Sequence, residues 1–524
     1  MYILNPIYKK TIKYKTMKKT SLSLLVTTVL ALLFTVSCSD NFLSTDPVGK
    51  ASVEQFYETD EDANQAIIAV YDVLQWINAR DWDSHYMVKT LPGDLVNTGG
   101  ANDSDQPPYQ RLNNFTFSSE NDAISATYSG LYYGVYRCNM VIHNTDPSTE
   151  LRERIIAEAK FLRAYFYFEL VSMFGDVPLN LDALAPSEYS QPRTPAAGVY
   201  TQIEKDLNDA IAGLPLKSNY DARDKFRPSK GAAQALLGKA HLYQEDYNAA
   251  HQAFAPVISS GEFSLVPKDD YMQIFRKEQE FGVESLFEIS YTTTEENNWG
   301  NFQWGGSRAM DNNIHWQLCG PRNLTDGGNS GMVPGWGFLY PTQESFDSYA
   351  AADTIRRNAN VWSEAEMVAM GGSFDQSQDY YHYEGYLRVK YGTFESETSG
   401  SDGDIPGLNF GTNIRLIRYA DVLLMAAEAY LQDNEPGQAR TEFNKVRTRA
   451  GMPTVNNLTM DDIVQERKVE LAFEGHRYRD LVRWGRAQAE LGDRGFQSGK
   501  HELYPIPADE MRSNNAIENN NPGY

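Results

Sequence analysis

Apolar positions recur at helical spacing through much of this chain. Between Ser52 and about Trp76, the residues Phe56, Ala63, Ala66, Ile67, Val70, Tyr71 and Leu74 fall three and four apart. That spacing builds one face of a helix. Glu150–Phe174 predicts a stronger helix, whose centre Phe161-Leu-Arg-Ala-Tyr-Phe-Tyr-Phe-Glu-Leu is apolar on nearly every side. A helix with no polar face has to be buried. Gly175 and Pro178 stop it. Thr194–Leu214 predicts another helix. By contrast Asp81–Tyr109 is rich in Asp, Asn, Gly and Pro and reads as a long loop. Loops of that length are uncommon unless they carry function.

Two segments share a longer period. In Ser229–Gly261, Gly238 is followed by Ala250, Phe254 and Val257; in Arg418–Gly451, Ala427 is followed at the same offsets by Ala439, Phe443 and Val446. Polar turns, Gln244-Glu-Asp-Tyr and Gln432-Asp-Asn-Glu-Pro-Gly, separate the two halves of each. Small residues where two helices cross, with a large one further along, resemble the tetratricopeptide repeat. Between the two lies Phe281–Gly411, rich in Gly, Asn, Ser and aromatics. It has short strand-like pieces, Ser285-Leu-Phe-Glu-Ile-Ser-Tyr and Tyr386-Leu-Arg-Val-Lys-Tyr, and holds Trp299, Trp304, Trp316, Trp336 and Trp362 out of eight tryptophans. The predicted fold is therefore mostly α: a helical-hairpin scaffold with an irregular, loop-rich insertion carrying short strands. An insertion on a rigid frame is a common seat of binding.

The N-terminus carries a different signal. Lys18-Lys19 precedes the apolar run Leu22–Val36, and Ser37 stands immediately before Cys38. A basic start, a short apolar run and a small residue describe a secretory signal. About 15 residues are too few to cross ~30 Å of hydrocarbon comfortably. A Cys at the cut resembles the lipobox of bacterial lipoproteins, so residues 1–37 are expected to be removed and Cys38 lipidated, palmitate included. Met17 is the expected start, and Thr35 departs from the usual Leu. Several acyl chains make a durable anchor. The formal charge is -23, and every charged residue before Cys38 is a lysine, so the matured chain is more acidic still. Such a body argues against nucleic acid, whose binding needs basic phosphate contacts, and against docking on anionic lipid through a basic face. Cys138 and Cys319 then remain. Cys138 lies in an apolar helix-like stretch and reads as a buried free thiol.

Few groups suggest catalysis. Glu466, Glu470 and Glu474 recur four residues apart near Arg467, Arg477 and Asp480. Glycoside hydrolysis needs two carboxyls facing each other across a sugar, ~5–9 Å apart. Three on one helical face read as a salt network instead. Asp81, Asp83 and His85, and Asn102-Asp-Ser-Asp, offer oxygens for calcium but fit no EF-hand loop. The expectation is no catalytic residue, no metal site and no cofactor, with a structural calcium the one option left open.

Longer blocks then identify a family. Glu158-Ala-Lys-Phe-Leu-Arg-Ala-Tyr-Phe-Tyr-Phe-Glu-Leu with Phe174-Gly-Asp-Val-Pro-Leu resembles the signature helix of the SusD/RagB family. So do Ile417-Arg-Tyr-Ala-Asp-Val-Leu-Leu-Met-Ala-Ala-Glu-Ala, the block from Glu466 to Gly485, Tyr504-Pro-Ile-Pro and the closing Asn521-Pro-Gly-Tyr. The resemblance implies a non-catalytic, surface-exposed, lipid-anchored outer-membrane protein that binds an oligosaccharide. It implies work as a lid on a SusC-like TonB-dependent transporter, and a fold of four tetratricopeptide-like units. It further implies an N-terminal SusD-like region over 38–230 and a C-terminal region over 231–524, in one compact unit. The alternatives are a peptide-binding RagB-like lid, a surface glycosidase and a pure scaffold. Family sites are built from the regions matching Asp94–Arg111 and Asn297–Tyr340. Sugar rings take aromatic faces and their hydroxyl edges take polar side chains. The ligand candidates are Tyr109, Trp299, Trp304, Trp316 and Trp336, with Asn97, Asn102 and Arg308 as polar partners.

Overall fold

A computed structural model describes residues 56–79, 82–294, 296–301, 311–399 and 405–524. Helices α1 (Asp60–Ala79), α2 (Asp122–Asn144), α3 (Glu150–Phe174), α4 (Ala196–Gly213), α5 (Lys230–Tyr243), α6 (Tyr247–Ser259), α7 (Tyr419–Gln432), α8 (Pro436–Arg449) and α9 (Met460–Glu470) form the frame. Among the described residues they pack as four antiparallel hairpins, α1/α2, α3/α4, α5/α6 and α7/α8. The hairpins stack in chain order through α2·α3, α4·α5 and α6·α7, as tetratricopeptide-like units do. None of these helices is long and apolar enough to cross a membrane.

The shared period has a steric cause. A Cβ on Gly238 of α5 would sit 2.5 Å from the Phe254 ring of α6. Glycine there lets the two helices close over the ring as it stands. At the same offset in α7/α8, Ala427 and Phe443 are both fully buried. Helix α1 starts at Asp60 because Thr59 and Asp62 cap each other: Asp62 N donates to Thr59 Oγ1 at 3.1 Å, and Thr59 N donates to Asp62 Oδ2 at 2.8 Å. Helix α3 is buried on nearly every side, as its apolar pattern predicts. Its buried charged residues are matched within the fold. Arg163 Nε and Nη2 each reach Asp206 at 2.8 Å, and Arg227 Nη1 reaches Glu158 at 2.8 Å. Cys138 and Cys319 are buried free thiols.

The expected long loop after α1 is more structured than its composition suggests. It contains a helix at His85–Thr90, strand β1 (Val96–Gly99) and a helix at Pro107–Asn113. The first helix forms because Ser84 Oγ caps the Met87 amide at 3.2 Å. The second opens on Pro107, which suits a first-turn position. The insertion is irregular, and its strands form small two-stranded sheets among the described residues. Strand β2 (Ser285–Ile289) pairs antiparallel with β4 (Ile414–Arg418). Strand β3 (Phe338–Pro341) pairs with β1, placing Asn97 opposite Tyr340 and Gly99 opposite Phe338. This β1–β3 ribbon joins the early segment to the insertion.

Beneath the insertion lies a buried ion network. Arg418 reaches Glu470 at 2.7 Å, Glu474 at 2.7 Å and Glu284 at 2.8 Å. Arg449 reaches Glu284 at 2.7 Å and Glu470 at 2.5 Å. Arg356 reaches Glu466 at 2.6 Å, and Lys390 reaches Glu474 at 2.8 Å. Burial alone would raise the Glu470 carboxyl, but Arg449, Arg418 and Arg356 outweigh it and hold the group well below the usual carboxylate range. The three glutamates are thus a structural network. Glu474 lies just past the end of α9 rather than on it.

Candidate functional site

Three tryptophans form an offset stack where the early segment meets the insertion. The Trp82 and Trp336 ring centroids lie 6.1 Å apart with their planes 29° apart. Trp336 and Trp299 follow at 6.4 Å and 12°. Trp299 is 56 % exposed. Trp82 packs edge-on against Phe338 at 5.5 Å and tilted against Tyr109 at 6.5 Å. A floor of buried rings thus lies beneath the stack, in which Trp82 and Trp336 are half-buried and Trp299 is open.

The backbone around Trp336 is clamped from both sides. Trp336 N donates to Gln317 O at 2.9 Å and Gly337 N to Gly320 O at 2.8 Å. Gly337 O accepts from Gly100 N at 2.8 Å. Gly337 has φ +77° and lies against the Tyr340 hydroxyl and Arg322 Cβ, so no side chain fits there. Trp336 is therefore presented by a rigid turn, which lowers the ordering cost of binding. Trp82 is followed by Asp83 at φ 62° and then the Ser84 cap, a sharp local turn ahead of the His85–Thr90 helix.

Polar groups flank this platform. Asp105 accepts from Ala101 N at 2.7 Å and lies 3.9 Å from Arg322. Asn102 is exposed, and its Oδ1 accepts from Ser104 N at 2.8 Å. Asn97, on β1, donates to Glu384 at 2.7 Å and to His382 O at 3.2 Å. Burial, with Arg494 nearby, lowers the His382 imidazole, so it favours the neutral form. Burial lifts the Tyr340 hydroxyl to about 12, against the opposing pull of the Arg322 amide and side chain. The side-chain chemistry here suits hydrogen bonds to neutral hydroxyls beside aromatic faces.

The structure separates the sequence candidates. Trp299 and Trp336 come together in the stack. Trp316 does not join them: it is 0 % exposed, its Nε1 donates to Thr412 O at 3.0 Å, and it stacks on Tyr391 at 4.6 Å and 4°. Tyr109 is also interior, with its hydroxyl accepting from Ser84 N at 3.1 Å. Both rings build the floor and core rather than an open face. Trp304, Arg308 and Cys38 lie outside the described residues. Trp82 was missed, although it sits in the Asp81–Tyr109 segment whose length already pointed to function. His85, weighed for calcium with Asp81 and Asp83, is turned inward, its Nε2 3.2 Å from Glu169; Asp81 lies outside the described residues.

Comparisons with known proteins place the chain. The SusD family model matches residues 357–524, and a model described as "Starch-binding associating with outer membrane" matches residues 64–242. A "SusD-like protein" of Bacteroides ovatus is 28% identical over 486 residues, covering 88% of this chain and 82% of its own. A structure named "Laminarin binding SusD-like protein" is 32% identical with TM-score 0.81, covering 89% of this chain and 100% of that one. A surface glycan-binding protein A from Bacteroides thetaiotaomicron, solved in complex with laminarihexaose, is 26% identical with TM-score 0.73, covering 87% and 97%. Fold, length and sequence agree, and the chain belongs to the SusD family.

Proposed function

We propose that this chain captures an uncharged oligosaccharide at the outer surface of the cell, on the Trp82–Trp336–Trp299 platform. It passes the sugar to a SusC-like TonB-dependent transporter, held in the outer membrane through lipidated Cys38. The observation that carries this reading is the tryptophan stack on a clamped turn, with amide, hydroxyl and carboxylate groups beside it. Pyranose C–H faces fit such rings, and hydroxyl edges fit such side chains. Relatives that bind laminarin or laminarihexaose support the ligand class. The formal charge of -23 opposes strongly anionic glycans by repulsion.

The reading is non-catalytic. Glu470 and Glu474 are locked in arginine pairs that hold them below the usual carboxylate range against their burial, so they have no proton to give a leaving group, and Glu466 is itself paired with Arg356. Affinity-gel electrophoresis of the full chain against laminarin and a panel of other neutral polysaccharides tests the reading. Retardation in at least one gel is expected, with no reducing sugar released. Trp336→Ala is expected to weaken binding at least tenfold, as loss of a central aromatic anchor does. A parent chain retarded by no polysaccharide, or an unaffected Trp336→Ala, overturns it. Binding of oligopeptides instead would favour the RagB-like alternative. Palmitate labelling that survives Cys38→Ala would place the anchor on a residue other than Cys38.

A further inference from the structure

A second groove, sharing no residue with the tryptophan platform, runs along α2. Two adjoining hollows of about 490 and 750 Å³ meet there and have Ser129, Tyr132, Asn180 and Tyr189 in common. One wall is α2 itself, a second is the segment from Pro178 to Ser190, and the larger hollow is closed by the segment from Pro507 to Asn514. Tyr136 is 42 % exposed on the first wall and Tyr189 58 % exposed on the second. Tyr136 is backed by Tyr133, whose ring lies nearly parallel to it at 6.4 Å and 26°.

The groove is built rather than incidental. The Asn180 backbone is pinned twice by Tyr167, whose hydroxyl donates to Asn180 O at 2.8 Å and accepts from Asn180 N at 2.7 Å. Asn139 Nδ2 adds a third bond to Asn180 O at 3.0 Å. Tyr132 Oη fixes the neighbouring Pro178 O at 2.7 Å. The Asn180 side-chain oxygen, so positioned, is buried and makes no hydrogen bond. The Tyr128 hydroxyl, in the larger hollow, sits beside that of Tyr132, and Tyr128 as a whole is 3 % exposed. Buried polar groups left unsatisfied are costly. A ligand hydroxyl that donates to the Asn180 oxygen would relieve that cost.

The charges select among ligands. Arg137, next to Tyr136 in sequence, is committed to the Tyr133 hydroxyl through Nε and Nη2. The charged groups lining the groove are Asp182, Asp509 and Glu510, all acidic. Anions are therefore repelled. Exposed phenol rings beside amide and hydroxyl groups point to a neutral sugar. The geometry points to a second binding site on this chain for an uncharged oligosaccharide, between Tyr136 and Tyr189. It rests on the glycan reading of the platform, and it adds a role: holding one long polymer at two points. Linked sites raise avidity without any stronger single contact.

The test uses the full chain and the neutral polysaccharide that retards it most in the gel panel. Tyr136→Ala/Tyr189→Ala is expected to weaken retention of the long polymer about threefold or more, while a hexasaccharide of the same glycan keeps its platform affinity. Trp336→Ala should leave residual retardation that the two tyrosine substitutions then remove. Both tyrosines are exposed, so the thermal melt should not move. Tyr136→Phe/Tyr189→Phe keeps the ring faces and should retain most of the binding. Parent-like retardation of the Tyr136→Ala/Tyr189→Ala chain, with Trp336→Ala impaired, overturns this site alone and leaves the groove to a protein partner. A parent chain retarded in no gel overturns the platform and this site together.

Discussion

The buried ion network and the tryptophan platform are both dense clusters of residues that could do chemistry, and they differ in how fully the protein itself uses them. Glu470 is touched by Arg418 and Arg449, and Glu474 by Arg418 and Lys390. Those side chains are buried, and their charge is consumed in holding α9 to the insertion. At the platform, the floor rings Phe338 and Tyr109 are buried while Trp299 stands open. Residue type alone does not mark a site. A carboxylate enclosed by guanidinium groups is structure, whereas half-buried and exposed rings on a clamped turn keep the open surface that the proposed sugar contact requires.

The largest expected effect breaks the network. Arg418→Ala leaves Glu470, Glu474 and Glu284 short of their shared cation, which typically costs about 3–5 kcal/mol. Urea unfolding should show that loss, and a shift below about 1 kcal/mol would mean that the network is dispensable. Acid probes the same groups without mutation. Arg477 and Lys468, overcoming the burial that would raise it, hold Asp94 at about 2, below the usual 3.8. A carboxyl lowered in the folded state stabilises above its unfolded pKa, and that stability is lost as pH falls through the folded value. Asp94 alone represents about 2 kcal/mol, lost between about pH 4 and pH 2. Glu470 and Glu474 add losses of the same sign. His476, lowered by burial to about 4 from 6.5, also favours the fold at higher pH and loses its share as pH falls between those values. Glu280 runs the other way: burial raises it to about 7 from 4.5 despite Arg415, so its share fades as pH rises across that interval. Stability measured by urea midpoint should fall steeply below pH 4. A flat profile from pH 5 to 3 would contradict the ion-pair account.

The two regions were not equally legible in the sequence. The hairpins were, because burial writes a helical period and a small residue paired with a buried phenylalanine recurs, Gly238 with Phe254 and Ala427 with Phe443. The network was legible too, since three glutamates at helical spacing beside arginines have a structural solution. The platform was only half legible. Ring type cannot distinguish Trp336 from Trp316, and the outcome depends on whether a distant carbonyl, Thr412 O, waits for the indole N–H. Trp82 carried no pattern of its own, and its place depends on the β1–β3 ribbon, a pairing of residues more than 200 apart in the chain. The Asp81–Tyr109 segment was too polar to reveal its helices, which rest on the Ser84 cap and on Pro107 rather than on periodicity.

Trp316→Phe sharpens the contrast inside one residue type. It removes one of two hydrogen bonds to the Thr412 carbonyl, which Asn313 Nδ2 still reaches at 3.2 Å, and takes away the indole beneath Arg388, 5.3 Å from the ring. One buried hydrogen bond lost while its acceptor keeps another donor costs about 1 kcal/mol. Calorimetric melting should show that destabilisation, with glycan affinity unchanged once folded. Reduced affinity at full folding would bring Trp316 back into the site.

Trp299→Ala gives the smallest effect and the finest test, because Trp299 is the outermost ring of the stack. More than half of it is already in water, so truncation should change stability by no more than about 0.5 kcal/mol. Its contact with Trp336 is parallel and offset, the geometry in which one ring extends the area of the next. If the stack reads successive sugar units, losing its end should weaken a long oligosaccharide about threefold while sparing a short one that fills only Trp336 and Trp82. Trp299→Phe should recover part of the loss, since a smaller flat face remains. Equal losses for short and long ligands would show instead that Trp299 acts by steadying Trp336, and the platform would then be a single subsite rather than a series.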